Sequence, residues 1–385
     1  MTIYLDNAAT SWPKPAAVYR AVDSCLRHVG ANPGRSGHTM SLEAARTVEN
    51  TRGLLARLLG SEDPARLAFT LNATDALNMA IKGVTRLGDH VVLSQMDHNS
   101  VLRPLSALAQ RGIVSLDVAH ATPAGLVTAS SVRACLRPST RLVTLTHASN
   151  VAGTINPVEE IGEMLQDKGI LFLLDAAQTA GVLPIDVSRM PVDLVAFSGH
   201  KGLLGPQGTG ALYARPGLDL EPWREGGTGS QSDQPFQPYG MPERLEAGTP
   251  NTPGLAGLGA GLEYLLEAGV ARLREGEIEL TGLLVEHLRG IPGLRVLGTG
   301  RAQDSVGVVS FVVDAVDPAD LGYILDQHYS IMARPGLHCA PWAHEALGTF
   351  PQGALRLSLG PFNTAEELKA TRDAIAEAVK DARGF

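Results

Sequence analysis

The sequence predicts an α/β protein built on a mainly parallel sheet of seven strands, with a smaller α/β domain towards the C-terminus. Between residues 67 and 214, short apolar runs alternate with helical patterns, as expected of parallel strands joined by helices. The run at 171–174 has four apolar residues without polar alternation, which is typical of a strand buried on both faces. The chain of 385 residues is also longer than one hydrophobic core usually serves.

The sheet is predicted from seven apolar runs, several of them separated by helical patterns such as those at 75–84 and 157–168. The strand candidates lie at 67–71, 90–94, 114–118, 142–146, 171–174, 194–197 and 210–214.

The other segments predict how the chain is divided. Residues 1–40 are rich in Pro, Gly and Asn and form an N-terminal arm that contributes to the small lobe. The large domain spans 41–260 and opens with a helix whose N-cap is Ser41 and which stops near Gly60. A long helical region is expected over roughly 254–289, and residues 261–385 are expected to form the small domain, with further elements at 306–313, 321–327, 355–359 and 365–379.

Charge and composition exclude several classes of protein. The net charge is −8 and no dense Lys/Arg run occurs, which argues against a nucleic-acid partner. No apolar run is long enough to cross a membrane, and the N-terminus has no signal-peptide pattern. Three cysteines in a chain of this length indicate a reducing compartment, so we expect a cytoplasmic protein.

One lysine stands in an unusual local setting. Lys201 follows the apolar run at 194–197 within Ser198-Gly-His-Lys-Gly-Leu-Leu-Gly205, so Ser198 and His200 flank it in a glycine-rich turn. An amine at the end of a strand, where it can be desolvated, suits Schiff-base chemistry with a carbonyl. Taken alone, a lysine in a glycine-rich turn is more often a solvated surface residue, because charged residues mostly stay exposed.

A carboxylate 26 positions earlier strengthens the first interpretation. Asp175 closes the buried strand in Leu171-Phe-Leu-Leu-Asp-Ala-Ala-Gln178, at the sheet edge where α/β proteins bind ligands. A buried carboxylate needs a cationic partner, and the protonated ring nitrogen of pyridoxal phosphate is one. In addition, Asn72-Ala-Thr74 lies between a strand and a helix and offers the N–H groups and the hydroxyl that a phosphate needs, although Thr74 could instead be a simple helix cap.

With these motifs, the chain resembles the cysteine desulfurases and selenocysteine lyases, which are class V aminotransferase relatives among the fold-type I pyridoxal phosphate enzymes. The resemblance runs from Tyr4-Leu-Asp-Asn-Ala-Ala-Thr10 to Leu355-Arg-Leu-Ser-Leu-Gly360. The matching motifs include Asp97-His98, His147-Ala-Ser-Asn150, Asp175-Ala-Ala-Gln178, Ser198-Gly-His-Lys201, Glu246-Ala-Gly-Thr-Pro-Asn-Thr252 and Arg334-Pro-Gly-Leu-His-Cys339.

The resemblance implies pyridoxal 5'-phosphate as cofactor and a role for each site residue. The catalytic residues would be Lys201, Cys339 and His98, the last stacked on the cofactor ring. The residues expected to bind the cofactor are Ala73, Thr74, His98, Asp175, Gln178, Ser198, His200, Lys201 and Thr249. Asn150, Arg334 and Arg356 would bind the substrate carboxylate. Thr249 resembles a residue that reaches the phosphate of a neighbouring subunit, which implies a homodimer.

Cys339 decides the reaction that the resemblance implies. Cys25 and Cys135 fall in helical patterns and are expected to be core residues, whereas Cys339 lies on a loop punctuated by Pro335, Gly336 and Pro341. The implied reaction converts L-cysteine to L-alanine and leaves the sulfur on Cys339 as a persulfide, for delivery to an acceptor protein. Cys339 and Arg356 are only 17 positions apart, which resembles the short loop of the group II desulfurases.

Other functions remain open at the level of sequence. A selenocysteine lyase acting on L-selenocysteine would use the same pocket, while a cysteine or cystine β-lyase or an aminotransferase would not need Cys339. A non-catalytic sulfur-relay scaffold would not need Lys201. A metal site is not expected, because the spacing of His338, Cys339 and His344 fits no zinc pattern.

Overall fold

Seven strands between residues 67 and 214 form one sheet in a computed structural model that describes residues 2–34 and 37–382. Met1, Arg35, Ser36 and residues 383–385 lie outside the described residues, so the ends of the predicted arm and small domain are not described. In chain order the strands are β1 Ile3–Tyr4, β2 Leu67–Thr70, β3 Asp89–Ser94, β4 Val114–Ala119, β5 Thr140–Thr146, β6 Leu171–Asp175, β7 Leu194–Ser198, β8 Gly210–Ala214, β9 Leu294–Val296, β10 Val308–Val313, β11 Ile331–Met332, β12 Arg334–Gly336 and β13 Ala354–Ser358.

The α-helices of the described chain alternate with these strands in the first half and dominate the second. They are α1 Ala16–His28, α2 Thr39–Leu58, α3 Ala73–Val84, α4 Asn99–Gln110, α5 Ala129–Cys135, α6 Val158–Gln166, α7 Thr252–Ala268, α8 Val270–Arg289, α9 Pro318–Tyr329, α10 Pro341–Ala346 and α11 Ala365–Ala382.

The large sheet has the order β2-β8-β7-β6-β5-β3-β4, and β8 alone of these strands runs antiparallel to its neighbours. Its central strands are buried along their whole length, as the apolar runs predict. The predicted α/β fold is therefore confirmed. Because β5, β6 and β7 are parallel, the residues that follow Thr146, Asp175 and Ser198 meet at one edge.

A second sheet lies in the C-terminal part of the chain, in the order β12-β13-β10-β9, with antiparallel pairing throughout. Apolar side chains of α8, α9 and α11 cover it. The short strand β1 pairs with β11, so the start of the arm lies against this part of the molecule. The division into 1–40, 41–260 and 261–385 stays a prediction, and its second boundary falls inside α7.

One detail of the helix predictions was wrong. Helix α2 begins at Thr39, because the imidazole of His38 accepts from Ser41 N at 3.3 Å and takes the capping position predicted for Ser41. The helical region expected over 254–289 consists of two helices, because Gly269 has φ 82°, a left-handed conformation that separates α7 from α8. None of the helices within the described residues combines the length and the apolar character needed to cross a membrane.

Candidate active site

Lys201 lies in a tight turn at the end of β7. The turn is close-packed: a Cβ on Gly199 would lie 2.2 Å from Thr209 Oγ1, and one on Gly202 would lie 2.5 Å from Ala180 O. Only glycine fits at either position, so the backbone before and after Lys201 is fixed.

The N-terminal arm holds this turn from the other side. The carbonyl oxygen of His200 accepts from Ser11 N at 3.0 Å, from Thr10 Oγ1 at 3.1 Å and from Lys14 Nζ at 3.4 Å. Gln178 is tied to the same arm, since its Nε2 donates to Ala8 O at 3.1 Å. The arm therefore positions two residues of the candidate site.

Burial lowers the pKa of Lys201 to about 8, and the nearby charges of Arg356 and Arg334 act in the same direction. Asp175 and Cys339 oppose this shift. All four groups thus lie within electrostatic reach of the amine. A lysine with this pKa has a useful fraction of free amine near neutral pH, which both nucleophilic attack and general-base catalysis require.

Asp175 is buried and receives a hydrogen bond from Ala177 N to Oδ1 at 2.9 Å. Burial raises its pKa to about 6, and the buried Asp97 adds to that shift. Asp97 itself accepts from Ser94 N, Thr144 Oγ1 and Thr146 N. A cation beside Asp175 would offset its desolvation.

A group of hydroxyl and N–H donors surrounds the N-terminus of α3. Ala73 N donates to Ser198 Oγ at 2.9 Å, which joins the first turn of α3 to the end of β7. Thr74 Oγ1 lies 2.7 Å from Ser100 Oγ, and Ser100 Oγ lies 2.8 Å from His98 Nδ1. These groups, together with the helix N-terminus, form a suitable cradle for an anion.

His98 caps α4 and has a strongly lowered pKa of about 4, because it is largely buried and faces the charges of Lys201 and Arg334. Its ring is therefore neutral at pH 7. The next residue, Asn99, donates its N–H to Cys339 O at 2.8 Å. The start of α4 thus contacts both the anion cradle and the cysteine loop.

Arg356 lies on β13 with about 1% of its side chain exposed. Its Nη2 donates to Asp6 Oδ1 at 2.7 Å and its Nη1 donates to Asn150 O at 3.1 Å. Within the described parts of the chain its buried Nε has no partner, nor does His200 Nδ1. Arg334 pairs directly with Arg356 across β12 and β13. Two guanidinium groups therefore meet at this end of the small sheet.

Cys339 is exposed on a folded loop between β12 and β13. His338 and Cys339 have φ values of 51° and 56°, so two consecutive non-glycine residues are left-handed, at a cost of about 1–2 kcal/mol each. Hydrogen bonds offset this cost: Asn150 Nδ2 donates to His338 O at 2.7 Å, and Asn99 N donates to Cys339 O. The Cys339 loop, residues 337–353, is therefore held by the start of α4 and by the turn after β5 as well as by its own strands.

A cavity of about 230 Å³ opens on one side of Lys201. Its polar lining includes Asn7, Gln178 and Arg272, whereas His98, Thr74 and Asp175 do not line it. The anion cradle and this cavity are thus different spaces, and Lys201 lines the cavity.

The structure gathers most of the predicted site residues. Asp175, His98, Arg334, Arg356 and Cys339 lie within electrostatic reach of Lys201, while Ala73, Thr74 and Ser198 belong to the cradle at α3. Thr249 is exposed, and no hydrogen bond joins it to the others among the residues described. The roles assigned to all of these predicted site residues stay predictions.

The sequence interpretation missed three participants. Asp6 pairs with Arg356, Ser100 links Thr74 to His98, and Asp97 lies behind Asp175. Asp97 was visible as a polar residue directly after a strand, but its burial was not. The partnership of Asp6 with a residue 350 positions away leaves no local pattern in the sequence.

The fold and the arrangement of the site can be compared with those of known protein families. The model of the family "Aminotransferase class-V" matches residues 3–371. A "Probable cysteine desulfurase" of Methanothermobacter thermautotrophicus is 35% identical over 382 residues, which cover 97% of this chain and 94% of that protein. A "Cysteine desulfurase" of Escherichia coli is 34% identical over 376 residues, or 95% of this chain and 90% of that protein.

Solved structures agree. The apo structure of a cysteine desulfurase from Thermococcus onnurineus NA1 has a TM-score of 0.92 at 34% identity and covers 99% of this chain and 95% of its own. The Escherichia coli cysteine desulfurase CsdA has a TM-score of 0.88 at 30% identity, covering 98% and 95%. The chain therefore belongs to the class V aminotransferase family of pyridoxal phosphate-dependent enzymes, in its cysteine desulfurase branch, as predicted.

The residues present fit the family's cofactor. Asp175 has a raised pKa that a protonated ring nitrogen would offset, and Lys201 has a lowered pKa suited to a carbonyl partner. The cradle at α3 and the unpaired Nδ1 of His200 suit a phosphate.

Proposed function

We propose that this protein is a pyridoxal phosphate-dependent cysteine desulfurase, which converts L-cysteine to L-alanine and retains the sulfur as a persulfide on Cys339. The observation that carries the proposal is the position of Cys339. An exposed thiol lies within electrostatic reach of a buried lysine with a lowered pKa, on a loop held by hydrogen bonds. A β-lyase or an aminotransferase of the same fold has no use for that thiol.

The cofactor would be held at both ends. Ala73, Thr74, Ser198 and His200 would bind its phosphate, Asp175 its ring nitrogen, Gln178 its phenolic oxygen and Lys201 its aldehyde, with His98 stacked on the ring. The bound cofactor supplies an acceptor for the electrons released when the substrate loses its Cα proton.

Arg356, Arg334 and Asn150 would bind the substrate carboxylate. Arg356 is buried and its Nε has no partner in the described chain, so a carboxylate oxygen would satisfy it. Arg334, directly across the strand pair, supplies a second positive charge. Fixing the carboxylate sets the direction of the Cα–H and Cβ–S bonds.

Lys201 Nζ would accept the Cα proton. A pKa of about 8 lies close to physiological pH, where a general base is most effective.

Cys339 Sγ, as a thiolate, would then attack the substrate sulfur. The new S–S bond forms as the Cβ–S bond breaks, and the electron pair of that bond passes to Cβ, which is protonated to give L-alanine. The net change is one cysteine and one thiol converted to one alanine and one persulfide. Because Cys339 is exposed, an acceptor protein can reach the persulfide.

A homodimer is part of the proposal. Thr249 is exposed in the single chain, as a residue that serves a neighbouring subunit's phosphate would be. Phe236 and Tyr239, on the preceding segment, are 78% and 83% exposed, and large exposed aromatic side chains of this kind are typical of an interface.

The decisive test replaces Cys339. We expect Cys339→Ser to bind the cofactor and to change its absorbance on addition of cysteine, yet to lose nearly all alanine formation. Mass analysis of the wild type after cysteine treatment should place one added sulfur atom on Cys339.

The matched control is Cys135→Ser, because Cys135 Sγ contacts the carbonyls of Val118 and Ser131 and a hydroxyl would do the same. Wild-type turnover is expected there. Unchanged alanine formation in Cys339→Ser would refute the proposal. Cysteine turnover without Cys339 would indicate a β-lyase.

A further inference from the structure

Two buried histidines and a threonine form a hydrogen-bonded ladder behind Cys339. His338 Nε2 lies 2.9 Å from Arg334 O, and His338 Nδ1 lies 3.1 Å from His344 Nε2. His344 Nδ1 lies 2.7 Å from Thr349 Oγ1. The two rings are stacked, with centroids 5.3 Å apart and planes 22° apart. We call these three residues the histidine ladder.

The donor and the acceptor of each hydrogen bond in the histidine ladder can be assigned from its two ends. Arg334 O can only accept, so His338 Nε2 carries the hydrogen. Burial lowers the pKa of His338 to about 3 and that of His344 to about 4, so both rings are neutral and each has one N–H. His338 Nδ1 therefore accepts from His344 Nε2, and His344 Nδ1 accepts from the Thr349 hydroxyl. One arrangement satisfies the whole chain.

The histidine ladder bears directly on Cys339. His338 is 4% exposed while Cys339 is exposed, so the chain passes from the core to the surface between these two residues. Both have left-handed backbones, which leaves little freedom for either to rotate alone. The His338 ring is held by Arg334 O and His344 Nε2, so loss of that support would let His338 shift and would carry the adjoining Cys339 with it.

We propose that Thr349 and His344 are positioning residues of the sulfur-transfer step, which hold the His338 ring in one orientation and one tautomer and so fix the direction of Cys339 Sγ. This inference rests on the proposed function. The two residues touch neither the predicted cofactor residues nor the carboxylate-binding residues through any hydrogen bond described in the chain. They act through His338.

The test compares two substitutions at Thr349 in the cofactor-loaded protein. Thr349→Val keeps the shape of the side chain but removes the hydroxyl, whereas Thr349→Ser keeps the hydroxyl. We expect Thr349→Val to lower kcat for alanine formation by on the order of tenfold while KM for cysteine is unchanged, since misdirection of a reacting group costs rate and not binding. Thr349→Ser should retain kcat.

A second pair of substitutions, at His344, tests the positioning role if Thr349→Val does not fold. His344→Phe retains a ring against His338 but removes both nitrogens, and His344→Gln retains an N–H donor at the reach of Nε2. We expect the first to lose kcat and the second to retain most of it. Equal kcat in both members of a pair, whether high or low, would overturn the proposal.

The rate of alkylation of Cys339 by iodoacetamide separates this inference from the proposed function, because it needs no turnover. If the wild type makes no alanine, the proposed function fails, and the alkylation rate alone then tests whether the histidine ladder positions Cys339. Thr349→Val should then change that rate while Thr349→Ser does not. The same rate in all three proteins would refute the positioning role.

Discussion

Asp175, a predicted cofactor-binding residue, affects how the stability of the cofactor-free protein depends on pH. Its pKa rises from 3.8 to about 6 on folding, so the folded protein binds more protons than the unfolded chain between about pH 4 and 6. The free energy of unfolding contributed by this group therefore falls as pH rises through that window, and the loss is complete above about pH 6. At neutral pH the cofactor-free protein therefore retains a buried carboxylate whose desolvation is only partly offset by the charge of Lys201.

We expect Asp175→Asn to raise the unfolding free energy of the cofactor-free protein at pH 7 by about 1–3 kcal/mol, because the amide is neutral and still accepts from Ala177 N. The pH dependence between 4 and 6 should weaken in the same variant. Urea unfolding at pH 4, 5, 6 and 7 measures both effects. In the cofactor-loaded protein, Asp175→Asn should instead weaken binding of the cofactor. If the unfolding free energy of the cofactor-free wild type and variant had the same pH dependence between 4 and 6, the raised pKa of Asp175 would be contradicted.

At the residue scale, the sequence predicted the candidate site residues that the structure brings together better than the residues that support them. Lys201, Asp175 and Cys339 stand at strand ends or in breaker-rich turns, which are local patterns. Asp6 and the partners of His338 could not be predicted, because a contact between distant residues depends on the packing of two sheets. The left-handed backbone of Cys339 was also invisible, since no glycine marks it.

At the scale of elements, the strands of the large sheet lie within a few residues of their predicted positions, because a buried parallel strand needs a continuous apolar run. Helix starts were less predictable. A cap depends on one hydrogen bond, and at α2 that bond comes from His38, a residue that is not usually considered a cap. The break at Gly269 was missed because apolar residues continue through it.

The Cys339 loop is an element in its own right, closed by the contact of two glycines. Gly353 has φ 84°, and a Cβ there would lie 2.4 Å from the backbone of Gly336. We expect Gly353→Ala to lower the unfolding free energy by at least about 2 kcal/mol and to reduce alanine formation, since the base of the loop must open. Chemical unfolding and a turnover assay measure the two effects.

Gly276→Ala is the control for this prediction. Gly276 lies within α8 and nothing lies within 4 Å of a Cβ built there. Alanine favours a helix over glycine, so this substitution should stabilise by up to about 1 kcal/mol. A Gly353→Ala variant as stable as the wild type would show that the contact between Gly353 and Gly336 does not hold β12 and β13 together.

At the scale of the whole molecule, the proposed homodimer predicts that two defective chains can restore one working site. Lys201→Ala destroys the site of its own subunit, and Thr249→Asp would place a negative charge beside the phosphate of the partner's site. In a mixed dimer one site then has both defects and the other has none. We expect the mixture to regain about a quarter of wild-type activity, since random exchange gives half mixed dimers with one intact site each.

Light scattering should show two chains per particle in the same preparation. Each variant alone, taken through the same unfolding and refolding steps, is the control. No recovery on mixing, despite exchange of subunits, would show that each chain forms its site alone. A fully active monomer would refute the shared site outright.

The ion pair between Asp6 and Arg356 has a consequence for ligand affinity. A substrate carboxylate bound at Arg356 Nε would share the guanidinium with the arm's own carboxylate, so the repulsion between the two negative charges would reduce the affinity for the ligand. By thermodynamic reciprocity, whatever anchors Asp6 more firmly on Arg356 weakens binding of the ligand, and the ligand loosens the arm by the same factor. Because that arm also holds the peptide before Lys201, occupancy of the proposed carboxylate site and the freedom of the Lys201 amine are coupled through one short segment of chain.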